Sequence, residues 1–398
     1  MRDTEIFSSL LGLTEGWVVS SVELVPDENS IKLGVEFSGK VLCPVCGACC
    51  ALYDHSEERS WRHLDTMQFM TIVSCRVPRA NCSEHGVKQL SVPWSGPHSR
   101  FTALFERLAI GLLSMTRCQS RTAKLLRLSS NQVHEIMHRA VRRGLVRREL
   151  GEIPHVAMDE KSFQRGHVYG CVLSDPKGRR VIEVSLGRHE ESAKQALSTL
   201  PLPHAVDTIT LDMHEPFKNA AFAKIPQAEI IHDRFHVAMN LSKAIDFTRR
   251  AEVKKRPELK YSRYVWLKNP ENRTGSQRRA FNDLMELELK TGTVYAFKEA
   301  FRVFFEQPGP AEGAQFLSDW ITEARKTHIK ALGTLANTFE TNFGGLLAYL
   351  KWRLTNGFAE GLNSMIQELN TVARGFRRFQ NFRIAVLFFL GKLELDPC

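Results

Sequence analysis

Apolar positions change their period several times along this chain, and each change marks a different kind of element. Residues 1–40 hold short alternating segments such as Lys32-Leu33-Gly34-Val35-Glu36-Phe37, which predict a small β element. Further on, Phe101, Leu104, Phe105, Leu108 and Leu112 fall on one stripe of an amphipathic helix. Residues 120–127 read as a second helix, Leu128-Ser129-Ser130 as a turn, and Asn131 onward as a third helix. The apolar face of that third helix is Val133, Ile136, Met137, Ala140 and Val141. From 151 the period shortens. Strands are expected over 153–158, closed by Asp159, then over 168–173, and, after the turn Asp175-Pro176-Lys177-Gly178, over 181–186. A helix over 190–200, a strand over 207–211 closed by Asp212, a short helix near 218–223 and a strand over 228–231 follow, before His232 and Asp233. Residues 240–350 are mostly helical in pattern. Phe358, Leu362, Met365, Ile366 and Leu369 then mark one face of a further helix.

The order β-β-β-α-β-α-β, an antiparallel meander followed by parallel additions, is that of the RNase H fold. The expected class is therefore a multidomain α+β or α/β protein. At 398 residues the chain suits two to four modules. An apolar fraction of 43% and a charged fraction of 25% are those of a folded chain. Lys and Arg outnumber Asp and Glu by 54 to 44, a net +10, which favours a polyanionic partner, nucleic acid before membrane. No secretory pattern opens the chain, and the apolar run at 384–390 is too short to span a bilayer, so a cytoplasmic location is expected.

Nine cysteines, four of them within 43–50, suggest metal binding in a reducing compartment. Cys43-Pro44-Val45-Cys46-Gly47 offers two thiolates at tetrahedral-zinc spacing, and Cys82-Ser83-Glu84-His85-Gly86 offers a second pair. Cys43, Cys46, Cys82 and His85 are thus the expected ligands of a structural Zn²⁺, with Cys49, Cys50 and Cys75 ranked below them. The basic helices resemble a helix-turn-helix. Asn131, Gln132 and His134 would face base edges, while Arg121, Arg139, Arg142 and Arg143 would contact phosphates.

In the RNase H order the first and fourth strands are neighbours, which would bring Asp159 and Asp212 together. Two adjacent carboxylates stay ionised when a hard divalent cation, Mg²⁺ or Mn²⁺, lies between them. Two such ions can serve an in-line displacement at phosphorus. A third acid is needed. Glu360, on the helix face opposite the Phe358–Leu369 stripe, and Asp233, at the end of the last strand, compete for that role.

Taken together, these motifs resemble the transposases of the ISL-three group of bacterial insertion sequences, of the DDE class. The resemblance runs nearly end to end. It rests on Cys-Pro-x-Cys-Gly, Arg76-Val77-Pro78-Arg79 before Cys82-x-x-His85-Gly86, the helix-turn-helix, Met158-Asp159-Glu160 and Thr210-Leu211-Asp212-Met213. It continues through Asp233-x-Phe235-His236-Val237, Asn356-x-x-x-Glu360-Gly361-x-Asn363 and Arg374-Gly375-Phe376-Arg377. It implies an RNase H-like core with Asp159, Asp212 and Glu360 as its triad and an all-helical insertion between the second and third acids. One departure is Gln367, seven residues after the glutamate, where many such enzymes carry a cation; Arg374, Arg377 and Arg378 are the candidate replacements for DNA contact.

The expected organisation is a β element (1–40), a zinc module (41–99), a helix-turn-helix (100–150), a core in two parts (151–240 and 346–398) and a helical insertion (241–345). The expected activity is metal-dependent cleavage and transfer of double-stranded DNA at transposon terminal repeats, by a homodimer or larger assembly. A DNA-binding regulator with an inactive core and an RNase H-like nuclease are the alternatives.

Overall fold

The computed structural model describes residues 2–13, 16–164, 166, 168–354 and 357–397, with the side chain of Glu360 also outside the described set. Two compact units emerge: residues up to Arg148 together with those from Leu393 on, and Glu149–Lys392.

The first unit opens with α1 (Asp3–Leu10), a short helix with no fully buried residue that rests on the sheet core through the half-buried Phe7. Strands β1 (Trp17–Val25), β2 (Ser30–Phe37), β3 (Ala51–Arg62), β4 (Met70–Cys82) and β5 (Gly86–Gln89) form one sheet in the order β1-β2-β4-β3, with β5 also on β4. The N-terminal strands and the cysteine-bearing segment therefore share a sheet, joined by the parallel pairing of β2 with β4. Alternation puts Ile31, Leu33 and Val35 of β2 and Val73, Cys75 and Val77 of β4 inside. There Trp94 meets Trp17 and Trp61 edge-on at 5.1 and 5.5 Å.

Three helices follow: α2 (Ala103–Thr116), α3 (Gln119–Leu126) and α4 (Ser130–Arg147). Helix α3 stops one residue early because Arg127 takes the left-handed conformation, φ 56°. Helix α2 is rotated from the expected stripe. It buries Phe105, Glu106, Ala109, Ile110 and Leu113, while Leu104 and Leu108 are exposed, because two arginines of α4 draw Glu106 inward. Helix α4 buries Val133, Ile136, Met137, Ala140, Val141 and Gly144. Residues from Leu393 lie along this helix. A Cβ on Gly144 would meet Leu393 Cβ at 2.7 Å, which explains the glycine. Arg143, Arg147 and Arg107 donate to the carbonyls of Leu395, Asp396 and Pro397 in turn.

The second unit is built on β6 (His155–Gln164), β7 (Val168–Asp175), β8 (Arg180–Leu186), α5 (Glu190–Leu197), β9 (Thr208–Leu211), α6 (Glu215–Lys224) and β10 (Glu229–His232). The sheet order is β10-β9-β6-β7-β8, antiparallel across β6-β7-β8 and parallel across β6-β9-β10. Helices α5 and α6 cover one face through Ala193, Ala196, Leu197, Phe217 and Ala221 over Val156, Met158, Leu173 and Ile209. Contrary to the sequence expectation, β6 does not end at Asp159. Continued pairing with β7, from Glu160↔Cys171 to Gln164↔Val168, carries it to Gln164.

From Asp233 the chain turns helical: α7 (Arg234–Glu252), α8 (Arg263–Leu267), α9 (Gly275–Met285), α10 (Lys290–Phe301), α11 (Pro310–Lys326), α12 (Lys330–Thr341) and α13 (Phe343–Trp352). They surround their own core, with Trp266, Phe301, Phe304, Trp320 and Phe339 at its centre. Helices α14 (Gly357–Val372) and α15 (Phe379–Leu390) return to the sheet, where Phe382 stacks on Phe163 of β6 at 4.9 Å. Among the described residues no helix is long and apolar enough to cross a membrane.

Candidate functional sites

The two cysteine motifs meet in space. Glycines with positive φ, Gly47 at 72° and Gly86 at 67°, close two tight turns that bring Cys43, Cys46, Cys82 and His85 together with all ligand atoms within 4.8 Å of one another. Cys46 and Cys82 sulfurs stand 3.8 Å apart, and His85 Nδ1 lies 3.6 Å from Cys82 and 3.9 Å from Cys43. Ligands around a tetrahedral zinc are separated by about 3.5–3.8 Å, so these distances fit that ion. Backbone N–H groups of Cys46 and Val45 hold the Cys43 thiol below its ordinary pKa, and those of His85 and Glu84 bring Cys82 to about 7. Both shifts favour the thiolate a metal needs. Cys75 is instead buried in the sheet, its thiol pushed up to about 12 by desolvation. Cys49 is exposed and Cys50 bonds the Ala48 carbonyl.

In the second unit the sheet sets the acids level with one another. Ala157 pairs with Thr210 and Leu211 with His232, so by that register Asp159 on β6 is matched by Asp212 and Asp233, the residues just past the ends of β9 and β10. Asp159 Oδ2 accepts a 2.5 Å bond from Asn363 of α14, and Oδ1 accepts from Glu160 N–H. Asp212 Oδ1 accepts from Met213 N–H, and Oδ2 lies 3.5 Å from His236 Nδ1 of α7. Burial pushes the Asp159 carboxyl above its ordinary range, and the Asp212 charge adds to the rise. Asp233 is buried and caps α7 through Oδ1 to Phe235 N–H, leaving Oδ2 without a hydrogen-bond partner. Glu360 belongs to α14, but its side chain lies outside the described residues.

Helix α4 sorts the sequence-predicted DNA contacts into two groups. Asn131 and Arg142, with Arg121 of α3, are exposed. Gln132 is folded back into a capping box with Ser129, its Oε1 accepting from Ser129 N–H at 2.9 Å. Arg139 donates from Nε and Nη2 to buried Glu106, and Arg143 pairs with Glu106 and the Leu395 carbonyl. Gln132, Arg139 and Arg143 are therefore engaged by partners within the unit while remaining partly exposed. His134 is half-buried, and burial holds it below the usual imidazole range. Arg374 and Arg377 line a groove of about 940 Å³ with Ser162, Gln164, Gln367 and Asn370; Gln164 Nε2 anchors its loop at the Phe376 and Arg377 carbonyls. Arg378 is exposed at the start of α15.

Comparison with known proteins assigns a family to each of these segments. A transposase family model of the ISL3 type matches residues 156–386, over half of the chain. The chain belongs to the ISL3 family of transposases. The zinc-finger model of the IS204/IS1001/IS1096/IS1165 transposases matches residues 40–85, and the ISL3 helix-turn-helix model matches 90–141. The transposase of insertion sequence element IS1001 from Bordetella parapertussis is 27% identical over 97% of this chain and 98% of its own length. That of IS1557 from Mycobacterium tuberculosis is 25% identical over 100% and 98%.

Two residues of this transposase's acidic site, Asn363 and His236, carried no assigned role in the sequence reading. Each follows a candidate acid by three positions, Asn363 after Glu360 and His236 after Asp233, the spacing of one helical turn. That repetition was the available signal.

Proposed function

We propose that this transposase cuts and joins DNA with Asp159, Asp212 and Glu360 as the ligands of divalent Mg²⁺ or Mn²⁺, on an RNase H-like core interrupted by the helices from α7 to α13. The observation that carries the reading is the parallel register of β6 with β9, Ala157 opposite Thr210, from which Asp159 and Asp212 each follow by two positions within the family-matched segment. Their chemistry fits a hard cation. Burial and the Asp212 charge disfavour an ionised Asp159, and a bound cation would offset both. When bound, such ions activate an attacking oxygen and stabilise the leaving one. Glu360 stands three positions before Asn363 on α14, and Asn363 already reaches Asp159, which supports Glu360 over Asp233 as the third acid.

The protein's own share of the work is positioning. Asn363 orients the Asp159 carboxylate, and His236 stands beside Asp212. Zn²⁺ held by Cys43, Cys46, Cys82 and His85 folds the sheet that carries them, and the helix-turn-helix binds double-stranded DNA at the transposon ends. Arg374, Arg377 and Arg378 contact DNA near the acids, and the working form is a homodimer or larger assembly in the cytoplasm.

The test is cleavage and strand transfer on terminal-repeat duplexes by the full chain. Asp159→Asn, Asp212→Asn and Glu360→Gln should each lower cleavage by at least ~10²–10³-fold while gel-shift binding persists. Retained cleavage in all three would sink the assignment. A parent that binds ends without metal-dependent chemistry would be a regulator, and one that cuts without joining a nuclease.

A further inference from the structure

We infer that sequence specificity at the DNA resides in Asn131, Glu135 and His138 of α4, with Arg142 as a phosphate contact. This assignment rests on the helix-turn-helix being the DNA-binding element. The face follows from exclusion and from exposure. Val133, Ile136, Met137, Ala140, Val141 and Gly144 are buried, and Gln132, Arg139 and Arg143 are tied down by Ser129, Glu106 and the Leu395 carbonyl. Asn131, Glu135, His138 and Arg142 are exposed. At 100° per residue these four fall within roughly 60° of one another on the helix circumference.

Length divides them. At 1.5 Å per residue, Asn131 to His138 spans about 10 Å, which fits within a major groove about 12 Å wide. Arg142 lies about 16 Å from Asn131, beyond that width, where the phosphate wall begins. The division also suits the charges. A carboxylate beside phosphates is repelled, whereas over base edges Glu135 accepts from the amino group of cytosine or adenine. Asn131 matches the paired donor and acceptor of adenine, and His138 one acceptor or donor of the next base. The cap formed by Ser129 and Gln132 fixes the helix entry, so these side chains stand on a rigid element.

The experiment is selection of binding sites from a randomised duplex library by the full chain, followed by affinity measurement at several salt concentrations. Asn131→Ala, Glu135→Ala and His138→Ala should each relax or change the preferred base at one or two positions, with about 10- to 100-fold loss on the parent's site. Arg142→Ala should weaken every sequence alike and lower the salt slope by about one. Gln132→Ala, which keeps the bond from the N–H of residue 132 to Ser129 Oγ but loses the return bond, should lower affinity slightly for all sequences and leave the selected sequence unchanged. Unchanged melting temperatures in the four exposed-site variants establish that folding is intact. If the parent selects a motif and the first three variants select the same one with equal affinity, this face assignment is overturned while DNA binding stands. If the parent selects no sequence at all, the helix-turn-helix reading falls, and the face with it.

Discussion

Replacing Glu106 with alanine removes a carboxylate that is 3% exposed and serves three partners. Its Oε1 accepts from Arg139 Nη2 at 2.6 Å and from Ser99 Oγ at 2.8 Å, while Oε2 faces Arg143 at 3.6 Å. Removing one side of a buried pair costs about 3–5 kcal/mol because the remaining charge is stranded. Arg139 and Arg143 keep 24% and 21% of their side-chain exposure, so water takes up part of that cost. The expected destabilisation is then about 2–3 kcal/mol. For a unit of roughly 150 residues each kcal/mol moves the midpoint by about 2–4 °C, so the drop should be ~4–12 °C. Calorimetry on the full chain reads this on the transition that zinc chelation also lowers. Glu106→Gln, which keeps an acceptor, should cost less. Combining Glu106→Ala with Arg139→Ala should show a coupling of about 1–3 kcal/mol. A midpoint within about 1 °C of the parent, or strictly additive single effects, would refute the claim that this carboxylate organises the helices.

Removing the zinc ligands Cys43 or Cys82 by serine substitution should abolish one equivalent of bound zinc and unfold the first unit; full zinc content in both variants by elemental analysis would contradict the ligand set. Asn363→Ala should lower cleavage about 10- to 100-fold and shift its Mg²⁺ requirement upward, and an unchanged metal titration would argue against its hold on Asp159. His63, buried beside Thr102 Oγ1 at 2.9 Å, is pushed down to about 4 by desolvation and by Arg62. Its folded pKa lies below the unfolded value near 6.5, so the stability it confers is complete above pH 6.5 and is lost as pH falls from 6.5 towards 4. His63→Gln should flatten the fall in midpoint over that window, an effect on the order of 3 kcal/mol at most; a parallel fall in both proteins would dismiss it.

Local patterns carried much of the fold into the sequence. The short runs of apolar and β-branched residues in β6 to β10, buried on both faces along β7, β8 and β9, and the apolar stripes of α4 and α14 depend on each element's own burial, which local pattern records. What escaped depends on partners remote in sequence. The length of β6 beyond Asp159 is set by β7, and the rotation of α2 by arginines of α4. Arg139 and Arg143 read as phosphate contacts because nothing near them in sequence names Glu106 or the Leu395 carbonyl as partners. At the acidic site the strands offered Asp159 and Asp212. The choice of Glu360 came from family resemblance, since a helix face alone does not distinguish a ligand from a solvated acid.

The run from Leu393 along α4 also bears on the timing of synthesis. Arg107, Arg143 and Arg147 are already made when Arg148 is added, yet the carbonyls that receive them belong to Leu395, Asp396 and Pro397. About 240 residues separate the two, so at ~5–20 residues per second the DNA-binding unit waits roughly 10–50 s for its last contacts. During that interval Arg107 of α2 and Arg143 and Arg147 of α4 lack their final partners and can engage whatever polyanion is nearest. The ribosome thus releases the finished form of this unit only when the transposase-matched segment between has been made, and a chain interrupted within that segment carries α4 without its fastening.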